Sequence, residues 1–178
     1  MKIFAGKTWL YIVGVLLCAL YVYTHITGLT LLPIFADEAI YIRWAQLILD
    51  DSNRYFFFAL NDGKTPLFIW QLAFLLPHFS DPLFGARLLS LIGGLLQILS
   101  AVLLVRELKG RVLSQVIAAV LVTFLPFWFF HHRMALMDGW LAVWLTFSAL
   151  FLLKALRTKS ISVSILSGIC FGAAMLKV

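Results

Sequence analysis

The chain has 178 residues, 63% hydrophobic and only 12% charged, with a formal net charge of +6. A soluble domain is roughly 45–50% apolar and about 25% charged, so the composition excludes an ordinary soluble globular protein and indicates an integral membrane protein. The positive charge reads as topology, because Lys and Arg gather in cytoplasmic loops, and no nucleic-acid partner is expected.

Lys2 and Lys7 precede an apolar run from Trp9 to Ile26. It is long enough to span and lacks the small-residue cleavage site of a signal peptide. It reads as an uncleaved first span over about residues 9–30, which keeps the N-terminus cytoplasmic and puts Asp37 outside. Over residues 38–49, Arg43 and Gln46, with Asp50 just beyond, recur at spacings of three and four among Ile40, Tyr41, Trp44, Leu47 and Ile48. This pattern predicts a short amphipathic helix lying in the interface, with Asp37 suited to its N-cap. A polar loop follows, with turn chemistry at Asn61-Asp62-Gly63. The apolar stretch 65–76, closed by Pro77, is too short to cross a bilayer and reads as a second interfacial helix.

Four further spans are expected at about 83–105, 112–130, 139–156 and 161–178. Keeping 65–76 outside places Arg106, Lys109, Arg111, Lys154, Arg157 and Lys159 in the cytoplasm. Treating it as a span would put both basic clusters outside, against the positive-inside bias. The predicted fold is therefore all-α: a single polytopic transmembrane bundle over residues 1–178 with two juxtamembrane helices in its first outer loop. Cys18 and Cys170 lie in apolar runs, read as small core residues, and show no zinc or disulfide spacing. Ser164, Gly168 and Gly172 form a small-residue stripe suited to close helix packing.

This topology gathers Asp37, Glu38, Asp50, Asp51, Asp62, Asp81 and Asp138 on the outer face, with Arg43, Arg54, Lys64, Arg87 and Arg133 as cations that defy the bias. Taken singly, Asp37, Glu38 and Asp138 read equally well as helix starts, Lys64 as a snorkelling lysine and Arg87 as an interface anchor. Together they put acids and cations at the mouths of helices that must pack, where ionisable groups are costly and usually functional. His131 and His132 are adjacent, so they point to different faces of a helix and read as interface residues rather than as metal ligands.

The Asp37-Glu38 pair after the first span, Lys64-Thr65-Pro66-Leu67 opening the short outer helix, Arg87-Leu88-Leu89-Ser90 in the second span, and Arg133 five residues before Asp138 form an ordered set. The set resembles the GT-C membrane glycosyltransferases, in the branch of the protein O-mannosyltransferases and aminoarabinose transferases. It departs from that branch in having Thr65 where a proline is common, and Gly63 where some members place Glu. The resemblance implies a hexosyl or pentosyl transferase of the cell (inner) membrane. Its donor would be a polyprenyl-phosphate sugar, its acceptor a lipid, a glycan or a protein, and membrane lipids would surround it. It implies Asp37, Glu38 and Asp138 as catalytic acids, with Asp37 the first choice of base. Lys64, Arg87 and Arg133 would bind the leaving phosphate. The cofactor is unknown, with a divalent metal the candidate and Asp62 and Asp138 its candidate ligands. Family members are several hundred residues long, so the chain reads as an amino-terminal part, inactive alone. Two other readings stay open: a small transporter or channel subunit whose outer acids bind a cation, and a non-catalytic structural subunit.

Overall fold

The computed structural model describes residues 8–176, so Lys2, Lys7 and the terminal Lys177-Val178 lie outside the described residues. The fold is all-α, with no strand among the described residues. Its helices are α1 (Thr8–Ile26), α2 (Ala36–Asp50), α3 (Ser52–Tyr55), α4 (Leu67–Leu75), α5 (Pro82–Glu107), α6 (Val112–Phe124), α7 (Pro126–His131), α8 (Met137–Thr158) and α9 (Ile161–Met175). Helices α5 and α8, with 26 and 22 residues, are long and apolar enough to cross a membrane. At about 1.5 Å per residue they measure roughly 39 and 33 Å, against a hydrocarbon core of about 30 Å. Val15 and Leu16 on α1, Leu113 on α6, and Ile161, Ile165 and Ile169 on α9 all stand exposed. Apolar surface spread over several outward faces suits hydrocarbon rather than water.

The apolar run expected as one span over 112–130 is two helices. Helix α6 stops at Phe124, Leu125 takes an extended conformation (φ −59°, ψ 129°), and Pro126 starts α7. Proline lacks an N–H and disfavours the helical conformation in the residue before it.

Contacts at the helix ends fix their relative directions. The Trp140 indole near the start of α8 donates to the Leu89 carbonyl near the start of α5 at 3.2 Å. At the far ends Arg157 pairs with Glu107 at 3.0 Å, so α5 and α8 run parallel. Arg133, just before α8, binds the last turn of α1, so α1 ends where α5 and α8 begin. Helix α9 finishes at that same end, where the Leu67 N–H donates to the Leu176 carbonyl at 3.2 Å. The segments carrying Asp37, Asp62 and Asp138 therefore share one end of the bundle, and the basic residues flanking 107–111 and 158–160 share the other.

Packing inside the bundle depends on small residues and a few polar contacts. A Cβ on Gly94 of α5 would collide with the Tyr21 hydroxyl and the His132 ring, so only glycine admits that close approach. Gln97 donates to the Thr146 hydroxyl at 3.2 Å between α5 and α8. Ser148 and Ser167 each donate to the other's carbonyl, at 3.1 and 2.9 Å, between α8 and α9. The face of α9 that packs thus carries Ser167, Cys170 and Ala174, all buried. The Gly168 and Gly172 positions of the expected stripe face open space, and Cys18 is exposed on α1 rather than packed in the core. Above the bundle, α2 lies on α4 and joins Tyr41, Ile42, Ala45 and Ile48 to Phe68, Ile69 and Leu72 in one core.

Candidate active site

The site is built on the first turn of α2. The N-cap of that helix is Phe35, which makes Asp37 the second helical residue and Glu38 the third. The expectation that Asp37 caps the helix is corrected here: Glu38 reaches back instead, its Oε2 accepting the Phe35 N–H at 2.9 Å. A residue's step around a helix is about 100°, so beginning the helix two residues earlier turns Glu38 inward. Glu38 is fully buried and Asp37 half-buried.

Glu38 holds four donors. Its Oε1 accepts from Arg87 Nε at 2.8 Å and from the Ala135 N–H at 2.7 Å. Its Oε2 accepts from Arg87 Nη2 at 2.7 Å besides the Phe35 N–H. Burial alone would raise the carboxyl's pKa, but the Arg87, Ala135 and Phe35 donors outweigh it and hold the pKa below the ordinary carboxylate value. The group is thus an ionised buried carboxylate with both oxygens filled.

Arg87 is equally occupied. Besides its two bonds to Glu38, Nη1 donates to the Leu29 and Leu32 carbonyls at 2.8 and 3.0 Å, and Nη2 to the Pro33 carbonyl at 3.1 Å. All five N–H groups of its guanidinium are engaged, and the side chain is fully buried. Arg133 closes the end of α1 in a similar way. Its Nη1 donates to Thr24 and His25 carbonyls at 2.7 and 3.1 Å, and its Nη2 to Thr27 and Gly28 carbonyls, both at 3.0 Å. Thr24 and His25 belong to the last turn of α1, which carries the negative end of the helix dipole, and Thr27 and Gly28 follow it directly. Phe129 lies beneath the guanidinium at 5.4 Å. The two arginines selected from the sequence as phosphate ligands thus hold the chain between α1 and α2 by its backbone.

Of the remaining acids, Asp37 lies nearest in sequence to Tyr41. Asp37 and Tyr41 stand four residues apart on one face of α2. Tyr41 is 4% exposed, its ring edge-on to Phe68 at 5.8 Å and tilted against Trp44 at 6.1 Å. Burial and the charges of Asp37, Asp138 and Asp62 push its hydroxyl up to about 12. Asp138, in the first turn of α8, and Asp62 are exposed. Gly63 adopts a left-handed conformation (φ 68°) that closes the turn after Asp62, and the Lys64 N–H then returns to the Ala59 carbonyl at 3.1 Å. The Lys64 side chain is half-buried and pairs with no carboxylate among the described residues. Tyr41 is the residue that the sequence reading missed; its place four positions after Asp37 was the available signal.

His132 packs inward. It is fully buried, stacked on Trp128 at 5.6 Å and edge-on to Tyr21 at 5.8 Å. Burial, with His25 and His131 nearby, pushes its pKa down to about 3, which keeps it neutral. His131 Nδ1–H donates to the Phe127 carbonyl at 2.8 Å. Among the described residues no three His, Cys, Asp or Glu side chains gather as a metal-binding group. No step below runs through a metal.

A family profile described as dolichyl-phosphate-mannose-protein mannosyltransferase matches residues 63–177, well over half of the chain. The chain belongs to that family. No curated protein and no solved structure matches it. Membership makes the chain part of a membrane glycosyltransferase of the GT-C type. The matched residues begin at Gly63, so they take in Lys64, Arg87, Arg133 and Asp138, while Asp37, Glu38 and Tyr41 precede them.

Proposed function

We propose that this mannosyltransferase-family chain transfers a hexosyl or pentosyl group from a polyprenyl-phosphate carrier to an acceptor on the outer face of the membrane. One observation carries the reading: residues 63–177 match the mannosyltransferase family, and the chain places Asp37, Asp62 and Asp138 at one end of the bundle with the basic residues near 107–111 and 158–160 at the other. The protein is then a multi-pass protein of the cell (inner) membrane, with α1, α5, α6–α7, α8 and α9 crossing and α2 and α4 in the outer interface. Its N-terminus and the basic end face the cytoplasm, as the positive-inside bias requires. The family description names mannose and a protein acceptor, which makes these the first donor and acceptor to test; lipid and glycan acceptors follow.

In this mechanism the carboxylate of Asp37 removes the proton from the acceptor hydroxyl. The freed oxygen attacks the anomeric carbon, and the bond from that carbon to the carrier phosphate oxygen breaks. A base in hydrogen-bond reach contributes about 10²–10⁴-fold. Lys64, whose ammonium has no carboxylate partner among the described residues, faces the charge that develops on the departing phosphate. Asp138 orients the acceptor. Glu38 and Arg87 act through position: their ion pair ties the first turn of α2, which bears Asp37, to α5 and to the chain before α8. The test is transfer by the purified full-length protein from synthetic polyprenyl-phospho-mannose and its hexose and pentose analogues. Transfer with release of polyprenyl phosphate is expected. Turnover only with a nucleotide sugar would refute the carrier assignment.

A further inference from the structure

The basic end of the bundle has no part in the mechanism above. Two short segments there share one pattern, a cation, any residue, leucine, a cation, any residue and a cation: Arg106 to Arg111 at the end of α5, and Lys154 to Lys159 at the end of α8. Together they hold six of the chain's fourteen Lys and Arg residues and one of its eight acids. All six cations are exposed. Arg157 pairs with the Glu107 carboxylate at 3.0 Å and donates to the Glu107 carbonyl, which joins the two segments into one surface and neutralises its acid. Lys109 (φ 60°) and Lys159 (φ 52°) are the two non-glycine residues with left-handed backbone among the described residues. Glycine or asparagine is cheaper at such a position after a helix, so each segment keeps a lysine there against backbone strain. The helix dipole favours cations at the ends of α5 and α8. It does not favour Arg111, which is the N-cap of α6, at the positive end of that helix, with no acid in the first turn. Leu108 and Leu156, the leucines of the two segments, are 62% and 69% exposed.

We infer that this surface binds the headgroup of an anionic phospholipid, the cations of both segments meeting its phosphate and Leu108 and Leu156 meeting its acyl chains. Charge complementarity carries the inference: cations gathered on one surface repel one another, and an anion between them relieves that repulsion. Lys and Arg are the side chains that hold phosphate through charge-assisted hydrogen bonds. The exposed leucines select a lipid over a soluble phosphate, because cations interleaved with apolar side chains suit the boundary between headgroups and acyl chains. The inference requires a protein lying in a membrane and is independent of the sugar chemistry.

The experiment places the full-length protein in phosphatidylcholine nanodiscs that carry a trace of spin-labelled phosphatidylglycerol or spin-labelled phosphatidylcholine. The motionally restricted fraction of each labelled lipid gives their relative affinity. The wild type should prefer phosphatidylglycerol. One cation near an anionic lipid contributes about 5-fold, so Lys109→Gly and Lys159→Gly should each lower the preference by about that factor. Glycine suits the left-handed backbone at both positions, so both variants keep the fold. Arg43→Gln removes one exposed cation at the opposite end of the bundle and should leave the preference unchanged. Inorganic phosphate should weaken the preference no more than sodium chloride of equal ionic strength. Four outcomes overturn the inference: equal affinity of the wild type for the two lipids, an undiminished preference in both lysine variants, an equal loss in Arg43→Gln, or displacement of phosphatidylglycerol by inorganic phosphate beyond the effect of salt. None of them bears on sugar transfer, which is measured separately.

Discussion

Replacing Glu38 by Gln tests the buried clamp with almost no change of shape. In the wild type each carboxylate oxygen accepts two N–H groups, with donors at 2.8 and 2.7 Å on Oε1 and at 2.7 and 2.9 Å on Oε2. A glutamine has one acceptor oxygen. Whichever side that oxygen takes, the amide NH₂ faces two donors on the other, one from Arg87 and one from the backbone. Two hydrogen bonds are lost and Arg87 stays buried without a counter-charge, although three carbonyls still hold it. Removing one partner of a buried pair costs about 3–5 kcal/mol, and the remaining carbonyls favour the lower half of that range. The assay is unfolding of the full-length protein by SDS titration in mixed micelles, run as a double-mutant cycle with Arg87→Met. The single variants should each be strongly destabilised, and the double variant should lose less than their sum by at least about 1 kcal/mol. A Glu38→Gln protein within about 0.5 kcal/mol of wild type, or a cycle with no coupling, would refute the clamp.

Other expected outcomes follow from the same contacts. Arg133→Gln strips the last turn of α1 of its charged donor and should cost about 2 kcal/mol in the same titration, the upper range for a cation at a helix C-terminus. Gly94→Ala should lower the unfolding midpoint by an amount equivalent to about 1–3 kcal/mol, as overpacking does, since the new methyl meets Tyr21 and His132. Lys64→Met should leave the unfolding midpoint unchanged but reduce transfer by about 10²–10³-fold, on the scale of one lost charge-stabilising donor. The folded-state pKa of Glu38 is depressed, so its stabilisation is complete above the unfolded value of about 4.3 and is lost as pH falls through the folded one. Unfolding midpoints should therefore not respond to Glu38 between pH 5 and 8. A wild-type-minus-Glu38→Gln difference that shrinks already near pH 6 would contradict this.

Much of the architecture is legible in the sequence because apolar length and charge placement are local properties. Runs of the right length give α1, α5, α8 and α9, and the charges sort to the two ends. What the sequence hides is phase and backbone. Whether Asp37 or Glu38 turns inward depends on where α2 begins, and beginning at Ala36 rather than near Glu38 reverses the two. The partners of Arg87 and Arg133 are mostly carbonyls of residues 24–33, and carbonyls leave no mark in a sequence. His132 can enter the core only because Gly94, on another helix, makes room. The break at Leu125 was readable from Pro126, but the hydrophobic run continues across it and masks the signal.

The assignment of chemistry to Asp37 and of position to Glu38 is the centre of the account, and Asp37→Asn in the full-length protein tests it most directly. Asp37 does not cap α2, because Glu38 supplies the contact to the Phe35 N–H. Asparagine keeps the shape of the side chain and removes its ability to take a proton. Transfer from polyprenyl-phospho-sugar should fall by about 10²–10⁴-fold, with the unfolding midpoint unchanged. An Asp37→Asn protein that folds normally and transfers sugar at the wild-type rate would contradict it.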